Sequence, residues 1–563
     1  MRNMIAARLV WFAALVACGT TAAADKSPRE ADRDDAPDTV VVCPDVLLPA
    51  MRDWVEYRMA QGHTIQFVSA ALSAEEVRDA IREAAKPGKL RHVLLVGDAD
   101  PRLAHSDDVR ARSLPTFHAK AKVNVNWGSE PELASDNFYA DLDDDSIPDL
   151  AVGRLTADNR DELKLMVDKI LAYERAGDHG DWRRRINVVA GMGGFGPIID
   201  PLIESAARKF ITDDVPSPYE LSMTYGSWRS PYCPDPRLFR ETALDRMNEG
   251  CLFWVYVGHG QRTYLDRLRV PGGAYRGLDV RDVRHVKSAA GAPIAIMLCC
   301  YSGAFDGEDD CLAEEMLRTP GGPVAVYSGS RVTMPYAMAL MSHEIMRQYF
   351  QHKKETLGEV LLEAKRALAA DDSRDYYRRL LDPMARLLSG GKHELADERA
   401  EHLLLFNLLG DPLLRMKYPG AVEVTAAREA TPGSRIEISG HCDSPGRLTL
   451  ELVCRRDMLR FVPPLRDKFD PSDEALTAFT DLYQQANDPC WTRQEYDFAG
   501  GEFRAELKIP AEAIGPCHVR VFVCSDDKCA LGSTDVLIRR ATTQSPQKPE
   551  PAESEASPFG ELP

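Results

Sequence analysis

The stretch FWVYVGHG (Phe253–Gly260), answered further along by IAIMLCCYSGAF (Ile294–Phe305), decides the fold of this 563-residue chain. Each stretch begins as a short apolar run with β-branched and aromatic residues, which is typical of a strand buried on both faces of a parallel sheet. Each run then stops at reactive side chains, His259 in one and the adjacent thiols Cys299 and Cys300 in the other. Ligands of open α/β sheets bind at the carboxyl ends of the strands. The sequence therefore predicts an imidazole beside a thiol, which is a nucleophile with its base.

The glycines on both sides of His259 sharpen this prediction, because they let the backbone approach a substrate and leave an N–H group pointing at it. Two other interpretations remain open. One is that the histidine and the thiols are ordinary buried core residues. The other is a metal site formed by His259, Cys299, Cys300 and Cys311. Adjacent cysteines point to opposite sides of a strand and rarely direct both sulfurs at one metal.

These motifs resemble the gingipain family of cysteine peptidases, in the caspase-like clan. That family carries Gly-His-Gly at one strand end and a Cys-x-x-Gly-x-Phe turn at the next, here Gly258–Gly260 and Cys300–Phe305. Further segments appear in family order: HVLLVGDAD (His92–Asp100), SDNFYADLDDDSIPDLAVGRL (Ser135–Leu155), EEMLRTPGGPVAVYSGS (Glu314–Ser330) and FNLLGDPLLRM (Phe406–Met416). The resemblance covers roughly residues 40–417. It implies an α/β fold with a caspase-like catalytic domain in two subdomains.

The resemblance also implies roles for individual residues. The family's turn begins at Cys300, which makes Cys300 the nucleophile, His259 its base and Cys299 a packed residue behind it. The backbone N–H groups of Gly260 and Cys300 would form the oxyanion hole. In arginine- and lysine-cleaving gingipains an acid lines the specificity pocket just ahead of the strand that ends in Gly-Arg. Asp136 is the candidate here, although it can equally belong to the Asp-rich loop that follows. The sequence offers no clear partner to orient His259.

That Asp-rich loop is a candidate calcium site. Its oxygen ligands alternate along the chain: Asp141, Asp143, Asp145, the Ile147 carbonyl and Asp149. Alternate carboxylates can converge on one hard cation, as they do in an EF-hand loop. Ser146 stands where the EF-hand turn has Gly, and Val152 stands where it has the bidentate Glu, so the predicted site is a modified one. An acidic surface turn is the alternative interpretation.

The order of predicted elements gives the domain organisation. Alternating strands and helices predict a parallel α/β sheet, divided into a first subdomain (40–178) and a catalytic subdomain (179–419). A second sheet is expected to begin at Ile186–Ala190. Short alternating strands between Gly/Pro turns predict a β-sandwich over 420–541, and gingipains similarly carry an immunoglobulin-like module after the catalytic domain. Residues 542–563, rich in Pro, Glu and Ser, are expected to form a disordered tail.

The N-terminus has the pattern of a secretory signal over residues 1–24: early arginines, a short apolar run and small residues at the end. Leu15–Cys18 fits a bacterial lipobox, which would make Cys18 a lipidated N-terminus. Cleavage after Ala24 would instead release a soluble protein. Residues 25–39 are a charged linker. The sequence thus predicts an exported protein, either a cell-envelope lipoprotein or a secreted one.

Charge and motifs limit the partners. The formal net charge of −18 argues against nucleic acid or an anionic membrane surface, so only a lipid on Cys18 would bring the chain to a membrane. No cofactor is expected for the chemistry. Residues 191–196 match a G-x-G-x-x-G dinucleotide fingerprint, but the following strand ends at Gly226 instead of an acid. His343-Glu344 begins an HExxH zinc motif, but Arg347 replaces the second histidine.

Thirteen cysteines in an exported protein suggest disulfides. Six of them crowd the last third of the chain: Cys442, Cys454, Cys490, Cys517, Cys524 and Cys529. The spacing alone does not decide how they would pair.

Together these features predict an exported cysteine endopeptidase of gingipain type. It would hydrolyse peptide bonds of protein or peptide substrates with a Cys-His dyad through an acyl-enzyme. Two alternatives remain: a sortase-like transpeptidase that processes surface proteins, and a non-catalytic lipid-anchored adhesion protein that uses its β-sandwich. Product analysis separates the first alternative from hydrolysis, and labelling with a thiol probe separates the second.

Overall fold

The structure is a computed structural model that describes residues 36–177, 180–191, 214–288, 291–370, 375–526 and 528–540. The predicted signal, Cys18, most of the linker and the C-terminal tail lie outside the described residues, as does the G-x-G-x-x-G run beyond Gly191. Within the described ranges, no helix is both long and apolar enough to cross a membrane.

Fourteen strands lie in the described residues before 419. In chain order they are β1 (Thr39–Cys43), β2 (Ile65–Ser69), β3 (His92–Val96), β4 (Phe117–Lys120), β5 (Glu132–Ser135), β6 (Ala151–Leu155), β7 (Arg185–Ala190), β8 (Glu220–Tyr225), β9 (Phe253–Val257), β10 (Leu268–Val270), β11 (Gly273–Tyr275), β12 (Ile294–Leu298), β13 (Ala325–Gly329) and β14 (Phe406–Leu409). Ten of them form one sheet in the order β2-β1-β3-β6-β14-β13-β12-β9-β7-β8, while β4–β5 and β10–β11 are separate hairpins.

The α-helices of the same region are interspersed with the strands, and four of them come in succession between β13 and β14. They are α1 (Arg52–Ala60), α2 (Ala74–Ala85), α3 (Asp107–Arg110), α4 (Arg160–Arg175), α5 (Phe239–Asn248), α6 (Val280–Val283), α7 (Leu312–Arg318), α8 (Pro335–Phe350), α9 (Leu357–Ala369), α10 (Tyr376–Ser389) and α11 (Leu395–Leu405). A capping box begins α2, where Ser73 and Glu76 bond each other's backbone N–H groups. The α/β class with a large, mostly parallel sheet is confirmed.

The expectation of two separate sheets is wrong. β7 pairs with β9 and belongs to the single ten-stranded sheet. β14 joins the two halves, because it pairs parallel with β6 and antiparallel with β13. β14 lies far along the chain from β6, so no local sequence pattern reveals that it closes the gap. Strands β1, β3, β12 and β13 are buried at every position, as continuous apolar runs predict for the middle of such a sheet.

The C-terminal region contains two sheets. Its strands are β15 (Gly420–Ala421), β16 (Glu423–Ala426), β17 (Glu429–Ala430), β18 (Arg435–Cys442), β19 (Gly446–Cys454), β20 (Cys490–Phe498), β21 (Gly501–Lys508), β22 (Gly515–Cys524) and β23 (Cys529–Ile538). β16, β18 and β21 form a three-stranded sheet, and the other six form the second sheet. One apolar core holds Ile438 and Leu507 from the smaller sheet and Val519 from the larger.

The insertion after β19 holds helix α12 (Asp473–Asn487), which packs on β8 at the edge of the ten-stranded sheet. The Asn487 side chain accepts a hydrogen bond from the Met223 N–H at 2.7 Å and donates to the Met223 carbonyl at 3.0 Å. Tyr483 bonds the Thr224 hydroxyl at 2.7 Å. Side chains of α12 thus satisfy backbone groups of an edge strand, which would otherwise offer a template for pairing with another chain.

A buried ion cluster also joins the C-terminal region to the α/β body. Glu451 on β19 accepts hydrogen bonds from Arg520 at 2.7 Å and from Arg184 at 3.3 Å, and it pairs with Arg493. Burial alone would raise the pKa of Glu451, but the neighbouring guanidinium groups lower it to about 2. Removing Glu451 would leave the buried guanidinium of Arg520 without its carboxylate partner.

Candidate active site

The register of β9 and β12 sets the geometry of the candidate site. The two strands pair in parallel from Phe253↔Ile294 to Val257↔Leu298, and the Gly258 N–H extends the ladder to the Leu298 carbonyl at 3.3 Å. His259 and Cys300 each follow two residues after the last pair. Both residues therefore follow the carboxyl ends of neighbouring strands, and both are half-buried. This register is compatible with the predicted dyad, whose role stays a prediction.

The backbone at His259 is held by two hydrogen bonds. Its carbonyl accepts from the Tyr256 hydroxyl at 2.9 Å and from the Asp266 N–H at 3.1 Å. A side chain at Gly260 would not fit, because its Cβ would lie 2.6 Å from the Cys300 carbonyl oxygen and 2.8 Å from the Cys299 Sγ. The glycine after the histidine is therefore required by the close approach of the next strand.

The nucleophile turn (Cys299–Phe305) treats its two cysteines differently. Cys299 is fully buried, its Sγ lies 2.9 Å from the Ser302 Oγ, and burial raises its pKa far above the ordinary thiol value. Cys300 is half-buried, and its Sγ accepts a hydrogen bond from the Thr333 N–H at 3.3 Å. Tyr301 turns the chain with a positive φ of 57°. A thiol that is accessible and receives an N–H donor is the better candidate for a nucleophile.

The predicted oxyanion donors are available. In the part of the chain that the structure describes, neither the Gly260 N–H nor the Cys300 N–H donates to a backbone carbonyl. Both belong to strand ends at which the ladder has stopped, so both can donate to an oxygen that enters the crevice. Their role in the reaction stays a prediction.

The segment that holds Thr333 was missed in the sequence. The Met334 N–H donates to Nε2 of His402 at 2.8 Å, and Nδ1 of His402 lies 2.7 Å from the Glu398 carbonyl. Burial lowers the pKa of His402, so the ring is neutral, donates through Nδ1–H and accepts at Nε2. Because the donor to Cys300 is a backbone group, no residue type in the sequence marks it.

An ion pair between Arg331 and Asp306 holds the other side of the nucleophile turn. The Arg331 carbonyl accepts from the Tyr301 N–H at 3.1 Å, and its guanidinium binds both carboxylate oxygens of Asp306 at 2.8 and 2.5 Å. Asp306 also lies 3.0 Å from Nε2 of His118. Burial opposes ionisation of Asp306, but these hydrogen bonds lower its pKa well below the usual range. The ion pair of Arg331 and Asp306 therefore holds the nucleophile turn next to the end of β13.

Asp136 is bound inside the protein. It is 3% exposed, and both carboxylate oxygens accept from the Arg154 guanidinium at 2.7 Å. The Thr116 hydroxyl donates to it at 2.8 Å. The structure therefore places Asp136 as the internal counter-ion of Arg154, a buried strand residue, which speaks against its predicted contact with substrate. A carboxylate already bound by a buried guanidinium has little capacity left for a substrate cation.

The acidic loop (Asp141–Asp149) brings three of its five predicted ligands together: oxygens of Asp141, Asp143 and Asp149 lie within 4.8 Å of one another. Asp145 instead accepts from the Ile147 N–H at 2.7 Å. Ser146 has a positive φ of 69°, the conformation for which EF-hand loops use Gly at this position. Local desolvation and the charges of Asp145 and Asp149 raise the pKa of Asp143. This donor set fits a hard cation such as Ca²⁺.

The structure also gathers a second acidic cluster that the sequence did not reveal. Oxygens of Asp98, Asp310 and Glu314 lie within 4.8 Å of one another. Burial raises the pKa of both Asp98 and Glu314. Asp310 and Glu314 are four residues apart, but Asp98 comes from a distant segment, so only the fold brings it to the other two.

His343-Glu344 lies on α8. Nδ1 of His343 lies 2.7 Å from Asp214, and Glu344 pairs with Arg347 at 2.9 Å. The residue that replaces the second histidine of the zinc motif is therefore the counter-ion of the glutamate.

A thiol and an imidazole at the ends of neighbouring strands in a mostly parallel α/β sheet are the nucleophile and the base that a cysteine hydrolase needs. The chain belongs to peptidase family C25, whose sequence profile matches residues 32–417. The resemblance to the gingipain family is thereby confirmed.

Individual relatives are distant. Gingipain R2 of Porphyromonas gingivalis is 23% identical over 355 residues, which are 60% of this chain and 43% of that protein. Lys-gingipain of the same organism is 23% identical over 40% of this chain and 12% of its own length. The chain therefore spans less than half the length of these relatives. The crystal structure of the Arg-specific cysteine proteinase gingipain R matches with a TM-score of 0.50 at 17% identity, covering 90% of this chain and 98% of that one. This similarity supports the fold.

Proposed function

We propose that this chain is an exported cysteine endopeptidase that hydrolyses protein or peptide substrates. The observation that carries the proposal is the matched register of β9 and β12, because His259 and Cys300 each follow two residues after the last pair and this supports a dyad between them. Membership of peptidase family C25 supports the same reaction.

In the proposed mechanism, His259 takes the proton of the Cys300 thiol and the thiolate attacks the scissile carbonyl. The N–H groups of Gly260 and Cys300 donate to the oxyanion that develops. The imidazolium of His259 then gives its proton to the leaving amine, and a thioester to Cys300 remains. His259 next activates a water molecule, which releases the acid product and restores the thiol. Losing one oxyanion donor typically costs on the order of 3 kcal/mol of transition-state stabilisation.

The Thr333 N–H has a specific part in this scheme. It donates to the Cys300 sulfur at 3.3 Å, and a donor at that distance stabilises the thiolate more than the thiol. The bond between Met334 and His402 fixes the segment in place. Within this proposal, Asp136 stabilises Arg154 and takes no part in selecting the substrate.

A structural calcium ion is proposed at the acidic loop. Asp141, Asp143 and Asp149 would hold it, and the Asp145 side chain would only shape the turn. The ion would neutralise carboxylates that otherwise repel one another. It would stabilise the loop before β6 and take no part in the chemistry of Cys300.

Export and the C-terminal architecture complete the proposal. The signal-like residues 1–24 support export, with Cys18 as a lipidated N-terminus that anchors the mature protein in the cell envelope. The two sheets that share one core after residue 420 support an immunoglobulin-like β-sandwich. Its attachment through α12 and Glu451 would make it a fixed part of the peptidase.

The proposal is tested by incubating purified full-length protein with a peptide library, with and without calcium, beside a Cys300→Ala variant. Cleaved peptides whose two new ends carry the elements of water support hydrolysis. Peptides joined to an added amine would instead show a transpeptidase. No products and no labelling of Cys300 by a thiol-directed acylating probe would show that the chain is not a cysteine peptidase.

A further inference from the structure

Two pairs of cysteines face each other in the larger C-terminal sheet, away from the candidate active site. Cys454 on β19 is the register partner of Cys517 on β22, and we name these two the core pair. Cys524 on β22 is the register partner of Cys529 on β23, and we name these two the hairpin pair. The structure contains no disulfide at any of the four. Cys517 and Cys524 thus lie near the two ends of β22. Cys517 is opposite a cysteine of β19, and Cys524 is opposite a cysteine of β23.

The core pair lies at a narrow position of the ladder. One step further along, the Arg455 N–H donates to the Pro516 carbonyl at 3.0 Å, so that position is the hydrogen-bonded one. Antiparallel ladders alternate, and residues at a non-hydrogen-bonded position have Cα atoms about 4.5 Å apart. A disulfide joins Cα atoms separated by roughly 4.4–6.8 Å. The core pair can therefore be bridged without moving either strand.

The hairpin pair has the same geometry. The Ser525 N–H donates to the Lys528 carbonyl at 2.9 Å, which makes that pair the hydrogen-bonded one and places Cys524 and Cys529 at the next, narrow position. Burial raises the pKa of Cys529 to about 11; the charge of Arg183 opposes this rise and that of Cys524 adds to it.

The two pairs lie on opposite faces of β22, because Cys517 and Cys524 are an odd number of residues apart. Cys517 belongs to the apolar core between the two C-terminal sheets. Cys529 belongs to the core shared with the α/β body, and Cys524 packs against that core.

We propose that the core pair and the hairpin pair each oxidise to a disulfide, which fixes β22 covalently to β19 on one face and to β23 on the other. The remaining two cysteines of the region stay thiols. Cys442 is opposite Gly501 and Cys490 is opposite Val453, so neither has a cysteine as its register partner.

The oxidant is a small or protein disulfide, of the class of oxidised glutathione or a thiol–disulfide oxidoreductase. One cysteine thiolate attacks a sulfur of that disulfide, forms a mixed disulfide and releases the first thiolate. The thiolate of the paired cysteine then displaces the second, and the protein S–S bond forms. The two cysteine protons pass to the two released thiolates, so the oxidant is reduced to two thiols.

These bonds would reinforce the strand that docks the C-terminal region on the α/β body. Arg520 of β22 binds Glu451 and also donates to the Tyr219 carbonyl at 3.3 Å. The core disulfide would close the base of the segment 455–516, which contains α12 and its contacts with β8. Closing so long a loop restricts the unfolded chain, and the effect grows with loop length.

The test uses the full-length Cys300→Ala chain, so that the predicted nucleophile does not react. Folded, reduced protein is treated with oxidised glutathione and analysed by intact mass and non-reducing peptide mapping. We expect the hairpin pair to oxidise first, because Cys524 is half-buried while Cys454 and Cys517 are only 4% and 2% exposed. Refolding in the same redox buffer should then add the core disulfide. Each bond removes two hydrogens from the mass.

Two variants sharpen the result. Cys517→Ser should lose the core linkage, keep the hairpin linkage and melt at a lower temperature than its oxidised parent, and Cys442→Ser should keep both linkages. Any linkage that includes Cys442 or Cys490, or no linkage after refolding in the redox buffer, would overturn the proposal. Because the background lacks the predicted nucleophile, peptidase activity has no influence on the outcome.

Discussion

The nucleophile turn and the acidic loop are both short polar segments beside strands of one sheet. They differ in how their polar side chains are bonded by the rest of the protein. In the turn, each reactive group has a partner from the protein: Cys299 has Ser302, and Cys300 has the Thr333 N–H. In the loop, Asp144 pairs with Arg78 at 2.9 Å. Among the described residues, however, no cationic side chain pairs with Asp143.

This difference separates a turn whose polar groups are bonded within the protein from a loop in which carboxylates stay close together. The partners in the turn are backbone groups and buried side chains that cannot move far. In the loop, oxygens of Asp141, Asp143 and Asp149 lie within 4.8 Å of one another, and of these three Asp141 pairs with Arg78 at 3.4 Å. We therefore expect substitutions in the turn to change turnover, and changes at the loop to alter stability first.

The largest expected effect separates the two adjacent cysteines. Cys300→Ala should reduce peptidase activity to background and abolish labelling by a thiol-directed acylating probe, because no nucleophile remains. Cys299→Ala is the matched control. It removes one buried sulfur, should cost on the order of 1 kcal/mol of folding stability, and should keep most activity. Initial rates and probe labelling measure both variants. A dead Cys299→Ala with an active Cys300→Ala would show that the register of the turn is shifted by one residue.

The next largest effect concerns the base. His259→Ala should lower kcat/KM by about 10²- to 10⁴-fold, the usual contribution of general acid–base catalysis. The thiol should still react with a small alkylating agent. Activity assays and alkylation rates as a function of pH separate these outcomes. If His259→Ala kept near-normal turnover at neutral pH, another group would have to be the base.

Much of the turn could be predicted from the sequence, for a physical reason. Strands in the middle of a parallel sheet are continuous apolar runs, and a run that stops at Gly-His-Gly or Cys-Cys marks its own carboxyl end. Strand order could not be predicted, because β14 comes from residues 406–409 and joins β6 to β13. Thr333 was missed because its contribution is a backbone N–H.

In the nucleophile turn the sequence missed a contact, whereas in the acidic loop it suggests more ligands than the structure brings together. Alternate aspartates all look like ligands, yet Asp145 bonds its own turn and Asp136, just before the loop, is bound by Arg154. The signal that could have placed Asp136 correctly is Arg154 itself. An arginine within a short apolar strand needs a buried counter-ion, and Asp136 supplies it.

A smaller effect should come from the support behind Thr333. His402→Leu removes the acceptor of the Met334 N–H and leaves that buried donor unsatisfied, which typically costs about 1–3 kcal/mol. A displaced Thr333 should lower kcat/KM by about tenfold. The exposed His105 is a matched control, and His105→Leu should change neither activity nor stability.

The His402→Leu variant should also change how the stability of the protein depends on pH. Burial lowers the pKa of His402 in the folded protein, so the unfolded chain binds this proton more readily. The stability from neutral His402 is present above the unfolded pKa near 6.5 and is lost as pH falls toward the folded pKa. His402→Leu should flatten the slope of stability against pH just below 6.5 relative to wild type, as measured by denaturant unfolding. Equal slopes would show that His402 takes up no proton on unfolding.

The smallest effect should appear at the acidic loop, and it should leave the turn untouched. Calcium should raise the melting temperature of the full chain by a few degrees, because a ligand that binds only the folded state stabilises it. Chelator should reverse the shift. In Asp143→Ala the shift should vanish, since the most exposed of the three converging carboxylates is gone. Asp107→Ala, which removes a carboxylate that is almost fully exposed, is the control and should keep the shift.

The rate at which a small alkylating agent labels Cys300 shows whether calcium affects the acidic loop alone or the nucleophile turn as well. It should be the same with calcium and with chelator at temperatures well below melting, because the turn is held by Thr333, Ser302 and Arg331 without help from the loop. A labelling rate that followed calcium would show that the two regions are coupled through β6 and β14. Identical melting temperatures with calcium and chelator, in wild type and Asp143→Ala alike, would show that the loop is an acidic surface turn.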